Sequence, residues 1–230
     1  MFQLITIDLD GTLVDTVHDL HAAVNDMLES LGLAPSSVAD VQNWVGNGIE
    51  ILVHRALTGS MDERSLPEVH EHALKLFSSA YHQTNGQHAR LYPGVKEGLE
   101  WLSNQGVPLV CVTNKAGRYS RPLLDTLKIA DYFDYHIAGD DVQKKKPDPQ
   151  ALIVAAKLCS ADPSHSLMIG DSVSDIKAAR AAGFKIICVS YGYNHNVPIH
   201  TLEEDLQPDR IIDTFAQLKK LPEMLSTDPA

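Results

Sequence analysis

Four short stretches carry residue types that could act together: DLDGTLVD at Asp8–Asp15, VTNK at Val112–Lys115, KKKPDP at Lys144–Pro149 and GDSVSD at Gly170–Asp175. Asp8 and Asp10 lie two residues apart, which in an extended strand end puts both carboxylates on one side. Two adjacent anions are costly unless a cation binds them, and hard oxygen ligands of this kind suit Mg²⁺. Gly11 lets the chain turn sharply, and Thr12 can satisfy local amides and carbonyls. An Asp-Gly turn with both acids in solvent is the other reading of the same residues. In VTNK, the Thr113 hydroxyl, Asn114 and the following amides could hold phosphoryl oxygens at a helix start, or simply cap that helix. Pro147 takes Lys146 out of a helix interior, leaving either a solvated basic run or a local cation able to neutralise a carboxylate and a phosphate. Asp171 can point into a crevice, whereas Asp175 sits where a helix dipole favours a carboxylate with or without a function.

The elements that must position these residues can be read from the apolar pattern. Leu4–Ile7, Leu109–Val112, Leu167–Ile169 and Ile186–Val189 are short runs rich in Val, Ile and Leu, as expected of strands buried on both faces of a parallel sheet, and Tyr135–Ala138 predicts a further one. Helical patterns at Val95–Gln105, Ala116–Lys128, Pro149–Cys159 and Asp175–Ala182 alternate with them, giving an α/β chain. Between the first and second strands the pattern is purely helical. Val17, Leu20, Val24, Met27, Leu28 and Leu31 recur at helical spacing from near Asp15 to Gly32, and further helices are predicted over Ile49–Leu57 and from Pro67 to about Gln83. The expected organisation is a core of residues 1–14 and 89–230 with an inserted helical lobe at 15–88. All four chemical stretches fall at the carboxyl ends of strands, where open α/β sheets bind ligands, so they should converge.

Composition narrows the partners. The 230 residues are 44% hydrophobic and 21% charged, an ordinary globular balance. A formal charge of −11, from 19 Lys and Arg against 30 Asp and Glu, repels nucleic acid and anionic membranes, so neither is an expected partner. An anionic substrate then needs a locally positive site. The start MFQLITIDLD has no signal-peptide pattern and no apolar stretch reaches membrane-spanning length, which points to a cytoplasmic protein, monomeric or homodimeric. Cys111, Cys159 and Cys188 form no CxxC pair, and neither His18 with His21 nor His195 with His200 has the carboxylate pattern of a hydrolytic zinc site.

Taken in order, DLDGTLVD, VTNK, Lys146 before Pro147 and GDSVSD resemble the four motifs of the haloacid dehalogenase superfamily. The resemblance implies a doubly wound, Rossmann-like parallel sheet with an α-helical cap domain. It also implies Asp8 as nucleophile, Asp10 as general acid and base, Thr113 and Lys146 as phosphate-holding groups, and Mg²⁺ held by Asp8, Asp171 and the Asp10 carbonyl, with Asp175 supporting them. The second carboxylate, Asp10, is similar to the phosphotransferring members and not to the dehalogenating ones. QNWVGNG at Gln42–Gly48, GDDVQKKKP at Gly139–Pro147 and SYGYN at Ser190–Asn194 are further similar to the bacterial phosphoglycolate phosphatases within that superfamily. On that likeness the substrate is a small phosphorylated metabolite whose carboxylate would be gripped from the cap, with Gly46, Asn47, Gly48 and Arg55 as candidates. A pyrophosphatase, a sugar-phosphate phosphatase or phosphomutase, and a noncatalytic phosphometabolite sensor are the alternatives.

Overall fold

The computed structural model describes residues 2–220. In chain order the strands are β1 (Leu4–Ile7), β2 (Val14–Asp15), β3 (Arg90–Leu91), β4 (Leu109–Val112), β5 (Tyr135–Ile137), β6 (Ser166–Gly170), β7 (Lys185–Val189) and β8 (Arg210–Ile212). The helices are α1 (Val17–Ser30), α2 (Val38–Trp44), α3 (Ile49–Thr58), α4 (Pro67–Thr84), α5 (Val95–Ser103), α6 (Gly117–Thr126), α7 (Gln150–Leu158) and α8 (Val173–Ala182).

Six strands form one parallel sheet in the order β5-β4-β1-β6-β7-β8. Because side chains alternate along a strand, each run feeds both faces of the sheet. Ile5, Ile7, Cys111, Leu167, Ile169 and Ile187 pack against α5 and α6. Their neighbours Leu4, Val110, Val112, Met168 and Ile186 pack against α7 and α8. This is the α/β architecture that the apolar runs predict, doubly wound as the family resemblance implies. Strands β2, β3 and β8 are not foreshadowed by the apolar pattern, β8 because Arg210 leaves it only two apolar residues.

Between β2 and β3, α1–α4 bury their own cluster of Val24, Met27, Trp44, Val53, Phe77 and Tyr81, with Tyr119 of α6 and Tyr193 of the loop after β7 reaching in. The predicted stripe of α1 is buried from Val17 to Leu28. Helix α2 is absent from the sequence reading, although Ser37 and Asp40 start it with a capping box: Asp40 N donates to Ser37 Oγ at 3.1 Å and Ser37 N to Asp40 Oδ2 at 3.0 Å. Strands β2 and β3 pair antiparallel where the chain leaves and rejoins the sheet. Two buried side chains tie this junction together. Asp19 accepts from Gly86 N at 2.6 Å and His88 N at 2.7 Å. The Tyr193 hydroxyl accepts from Thr16 N at 2.7 Å and Val17 N at 3.0 Å and donates to Asp15 Oδ1 at 2.8 Å, satisfying amides that an α-helix start leaves open. Among the described residues no helix is long and apolar enough to cross a membrane.

Candidate active site

Strand order explains why distant motifs meet. With β1 between β4 and β6, the residues leaving β1 are flanked by Thr113 after β4 and Asp171 after β6. Carboxylate oxygens of Asp8, Asp171 and Asp175 all lie within 4.8 Å of one another, and all three residues are buried. Close approach of the loops requires glycine: a β-carbon on Gly11, at φ +87°, or on Gly192 would collide with the Asp171 carboxylate.

Each acid is braced differently. Asp175 uses both oxygens within the chain. Its Oδ2 accepts from Ser172 Oγ at 2.7 Å, Ser172 N at 3.1 Å and Asp171 N at 3.2 Å, and its Oδ1 from Lys146 Nζ at 2.7 Å. Asp171 accepts from Thr12 Oγ1 at 2.9 Å and from Tyr193 N at 2.8 Å, one bond on each oxygen. Lys146 Nζ, which also donates to Val112 O at 3.0 Å, stands 2.8 Å from Asp8 Oδ1. That approach is off the line of a good hydrogen bond, so this buried oxygen has a counter-charge without a well-directed donor.

Burial pushes the Asp8 carboxyl up to about 7, with Lys146 opposing the shift and the Asp175 charge adding to it. Burial likewise raises Asp171, reinforced by Asp175 and Asp8. Burial pulls the Lys146 ammonium down, but Asp175 and Asp8 outweigh it and hold it charged. One ammonium against three crowded carboxylates leaves negative charge uncompensated, and Asp8 and Asp171 retain lone pairs. Their all-oxygen donor set fits a hard divalent cation. Asp175, with four donors already on it, fits better behind those two than as a ligand.

Asp10 faces elsewhere. Its Oδ1 accepts from Thr16 Oγ1 at 2.7 Å and Lys115 Nζ at 3.0 Å, and its Oδ2 is 3.3 Å from the same ammonium. Lys115 is buried and donates also to the Tyr81 hydroxyl of α4, so one ion pair joins sheet and helical lobe. Lys115 is not among the residues that the motifs single out for chemistry. Its signal was there: a lysine directly behind a strand-ending Thr-Asn in an acidic chain must find carboxylates if the fold buries it.

A cavity runs between sheet and lobe, lined by Asp8, Asp10, Thr113, Asn114 and Lys115 on one side and Leu20, Val45, Gly46, Gly48, Ile49 and Leu52 on the other. A second hollow adjoining it is bounded by Asp8, Lys146, Asp171, Asp175 and His195. The Thr113 hydroxyl accepts from Lys115 N at 3.1 Å and keeps its own proton to donate. Asn114 is engaged as a strut, donating to Gly46 O and Lys146 O and accepting from Lys146 N, each at 2.9 Å.

Not every candidate reaches the cavity. Gly46 and Gly48 line it; Asn47 and Arg55 do not. The Arg55 guanidinium turns into the lobe, donating to Trp44 O at 2.6 Å, Asn47 Oδ1 at 3.0 Å and Met61 O at 3.3 Å. It therefore holds the 44–48 turn, because carbonyls enclosed by the lobe need donors more than an open cavity does. Arg55 and Asn47, expected to grip a substrate carboxylate, are thus engaged with each other and with the lobe.

Comparison with known proteins places this arrangement. Residues 5–189 match the model of the haloacid dehalogenase-like hydrolases. The chain is 47% identical over 219 residues to a phosphoglycolate phosphatase of Nitrosococcus oceani, covering 95% of this chain and 96% of that one. It is 48% identical over 217 residues to a phosphoglycolate phosphatase of Pseudomonas fluorescens, covering 94% and 78%. Its fold is similar to the crystal structure of a predicted phosphoglycolate phosphatase from Haemophilus somnus, with a TM-score of 0.89, 34% identity and coverage of 96% and 98%.

Proposed function

The chain belongs to the haloacid dehalogenase-like hydrolases, and we propose that it hydrolyses 2-phosphoglycolate to glycolate and phosphate with Mg²⁺ as cofactor and Asp8 as nucleophile. It is a phosphoric monoester hydrolase, as are the relatives it matches along nearly its whole length. The observation that carries the site assignment is the convergence of Asp8, Asp171 and Asp175 with one buried ammonium, Lys146, at adjoining strand ends.

In this reading an Asp8 carboxylate oxygen attacks phosphorus in line as the bond to the substrate oxygen breaks, forming an aspartyl phosphate. Asp10 gives its proton to the departing alkoxide. It then takes a proton from the water that attacks the aspartyl phosphate, which releases phosphate and restores Asp8. Lys115 and Thr16 fix the position of the Asp10 carboxyl at the cavity wall. The Thr113 hydroxyl and the Lys146 ammonium support the phosphoryl oxygens. Asp8, Asp171 and the Asp10 carbonyl would hold Mg²⁺, which when bound supplies charge compensation for the phosphoryl group and the crowded acids. Asp175 keeps Lys146 in place. The helical lobe is the cap, its apolar wall displacing water from the cavity.

The test is a panel of phosphomonoesters assayed with purified protein and Mg²⁺ and ranked by kcat/KM. The expected outcome is that 2-phosphoglycolate heads the panel. Higher kcat/KM for sugar phosphates or pyrophosphate would replace the substrate assignment, and isomerised sugar phosphate without free phosphate would make the protein a mutase. No turnover of any ester would overturn the hydrolytic reading.

A further inference from the structure

The three lysines of KKKPDP have separate fates. Lys144 approaches Asp148 at 3.7 Å on the surface. Lys146 is consumed by Asp8 and Asp175. Lys145 is half-buried, and its ammonium has no acceptor among the described residues. It is not lost in solvent either: a β-carbon built on Gly48 would stand 3.0 Å from Lys145 Nζ, 3.8 Å from Lys145 Cδ and 3.7 Å from Asn114 O. Gly48 and Asn114 both line the active cavity. Lys145 is not itself a lining residue, but its ammonium end lies beside Gly48, where the lobe meets the sheet and one residue away from the cavity.

Other basic groups there are committed. Lys115 serves Asp10 and Arg55 serves the lobe. His195 spends Nδ1 on Asn43 O at 2.7 Å, and burial lowers its pKa below the ordinary value. In a chain of charge −11 a substrate with a second anionic group beside its phosphate needs a cation not already neutralised. We propose that Lys145 recognises that group, so that it selects phosphomonoesters of small hydroxy acids over uncharged esters of equal size. Gly48 leaves the space through which the ammonium reaches the rim. The inference rests on the phosphatase reading and adds to it the residue that sets substrate class.

The experiment compares kcat/KM for 2-phosphoglycolate with that for ethyl phosphate, which keeps the two-carbon chain and carries a methyl group where the carboxylate stands. The second comparison is with isobutyl phosphate, which matches the carboxylate in shape without its charge. In the unaltered protein each ratio should be well above one and should decline with added salt. Lys145→Met should lower each ratio about tenfold to a hundredfold, the range expected for one charge-assisted hydrogen bond, through KM more than kcat. Lys145→Arg should restore most of it. Either ratio near one in the unaltered protein, or either ratio within about twofold of its unaltered value in Lys145→Met, overturns the role of Lys145 while leaving the phosphatase standing. Turnover of none of these esters by the unaltered protein overturns the phosphatase reading itself.

Discussion

On the sheet side of the cavity and of the hollow beside it, Asp8, Lys115 and Lys146 are buried and Asp10 half-buried, and these ionisable groups from several loops pair with one another. On the lobe side, Leu20, Val45, Ile49 and Leu52 are apolar, Gly46 and Gly48 offer only backbone, and the one nearby guanidinium is turned inward. The difference separates two tasks. Charged groups that must keep a geometry through a reaction belong on strand ends whose positions the sheet dictates. A wall that excludes water and shapes the space can be built from apolar side chains on helices that pack among themselves. Discrimination between substrates then falls to the few polar atoms at the seam, where Lys145 lies.

The sharpest way to break this division is at the sheet side. Asp8→Asn keeps shape but removes the attacking charge, and turnover should fall on the order of 10⁴-fold or more. Retained turnover would move the chemistry elsewhere. A smaller effect is expected where the two sides join. Lys115→Met leaves the half-buried Asp10 carboxylate with Thr16 as its remaining side-chain donor and should cost about 2–3 kcal/mol of stability, below the range for a fully buried pair, read from urea unfolding. Tyr81→Phe, which leaves the ion pair in place, should cost only about 1 kcal/mol. Equal losses would mean that the lobe, not the ion pair, dominates the junction.

Within the lobe, Arg55→Ala should cost about 1–3 kcal/mol by leaving the Trp44 carbonyl without its donor. The ratio of kcat/KM between 2-phosphoglycolate and ethyl phosphate should stay the same. A shift in that ratio would return Arg55 to substrate recognition.

The mildest effect concerns pH. In the folded, metal-free chain burial pushes the Asp8 carboxyl up to about 7 from an ordinary 3.8. Between those values the folded state keeps a proton that the unfolded state has released, so stability falls as pH rises through this window and levels off above it. Thermal midpoints measured with a chelator should therefore drop by several degrees from about pH 5 to about pH 7.5. Added Mg²⁺, which favours the ionised carboxylate, should raise the midpoint more at the higher pH. A metal-free midpoint that rises over that interval would show that Asp8 is not crowded as described.

Much of this was legible along the chain. Leu4–Ile7 and Leu109–Val112 are too apolar to be anything but interior strands, and the Asp and Lys motifs follow them immediately. The start of α2 was legible as well, in Ser37 and Asp40, but seven residues containing Asp and Asn make a weak helical pattern. β8 could not be read, since Arg210–Ile212 acquires its strand character from pairing with β7.

By itself, then, the order of residues determined which segments are buried, where they end and which chemical groups stand at those ends, because burial pattern and turn chemistry are local properties. Tertiary structure alone decided the partners: that Lys115 answers Asp10, that Arg55 serves its own lobe, and that Lys145 is left over beside Gly48. The reason is physical. A charge or donor in an enclosed, poorly solvated space settles on whichever opposite group lies within about 3 Å, and that neighbour is chosen by how sheet and lobe pack, not by distance along the chain.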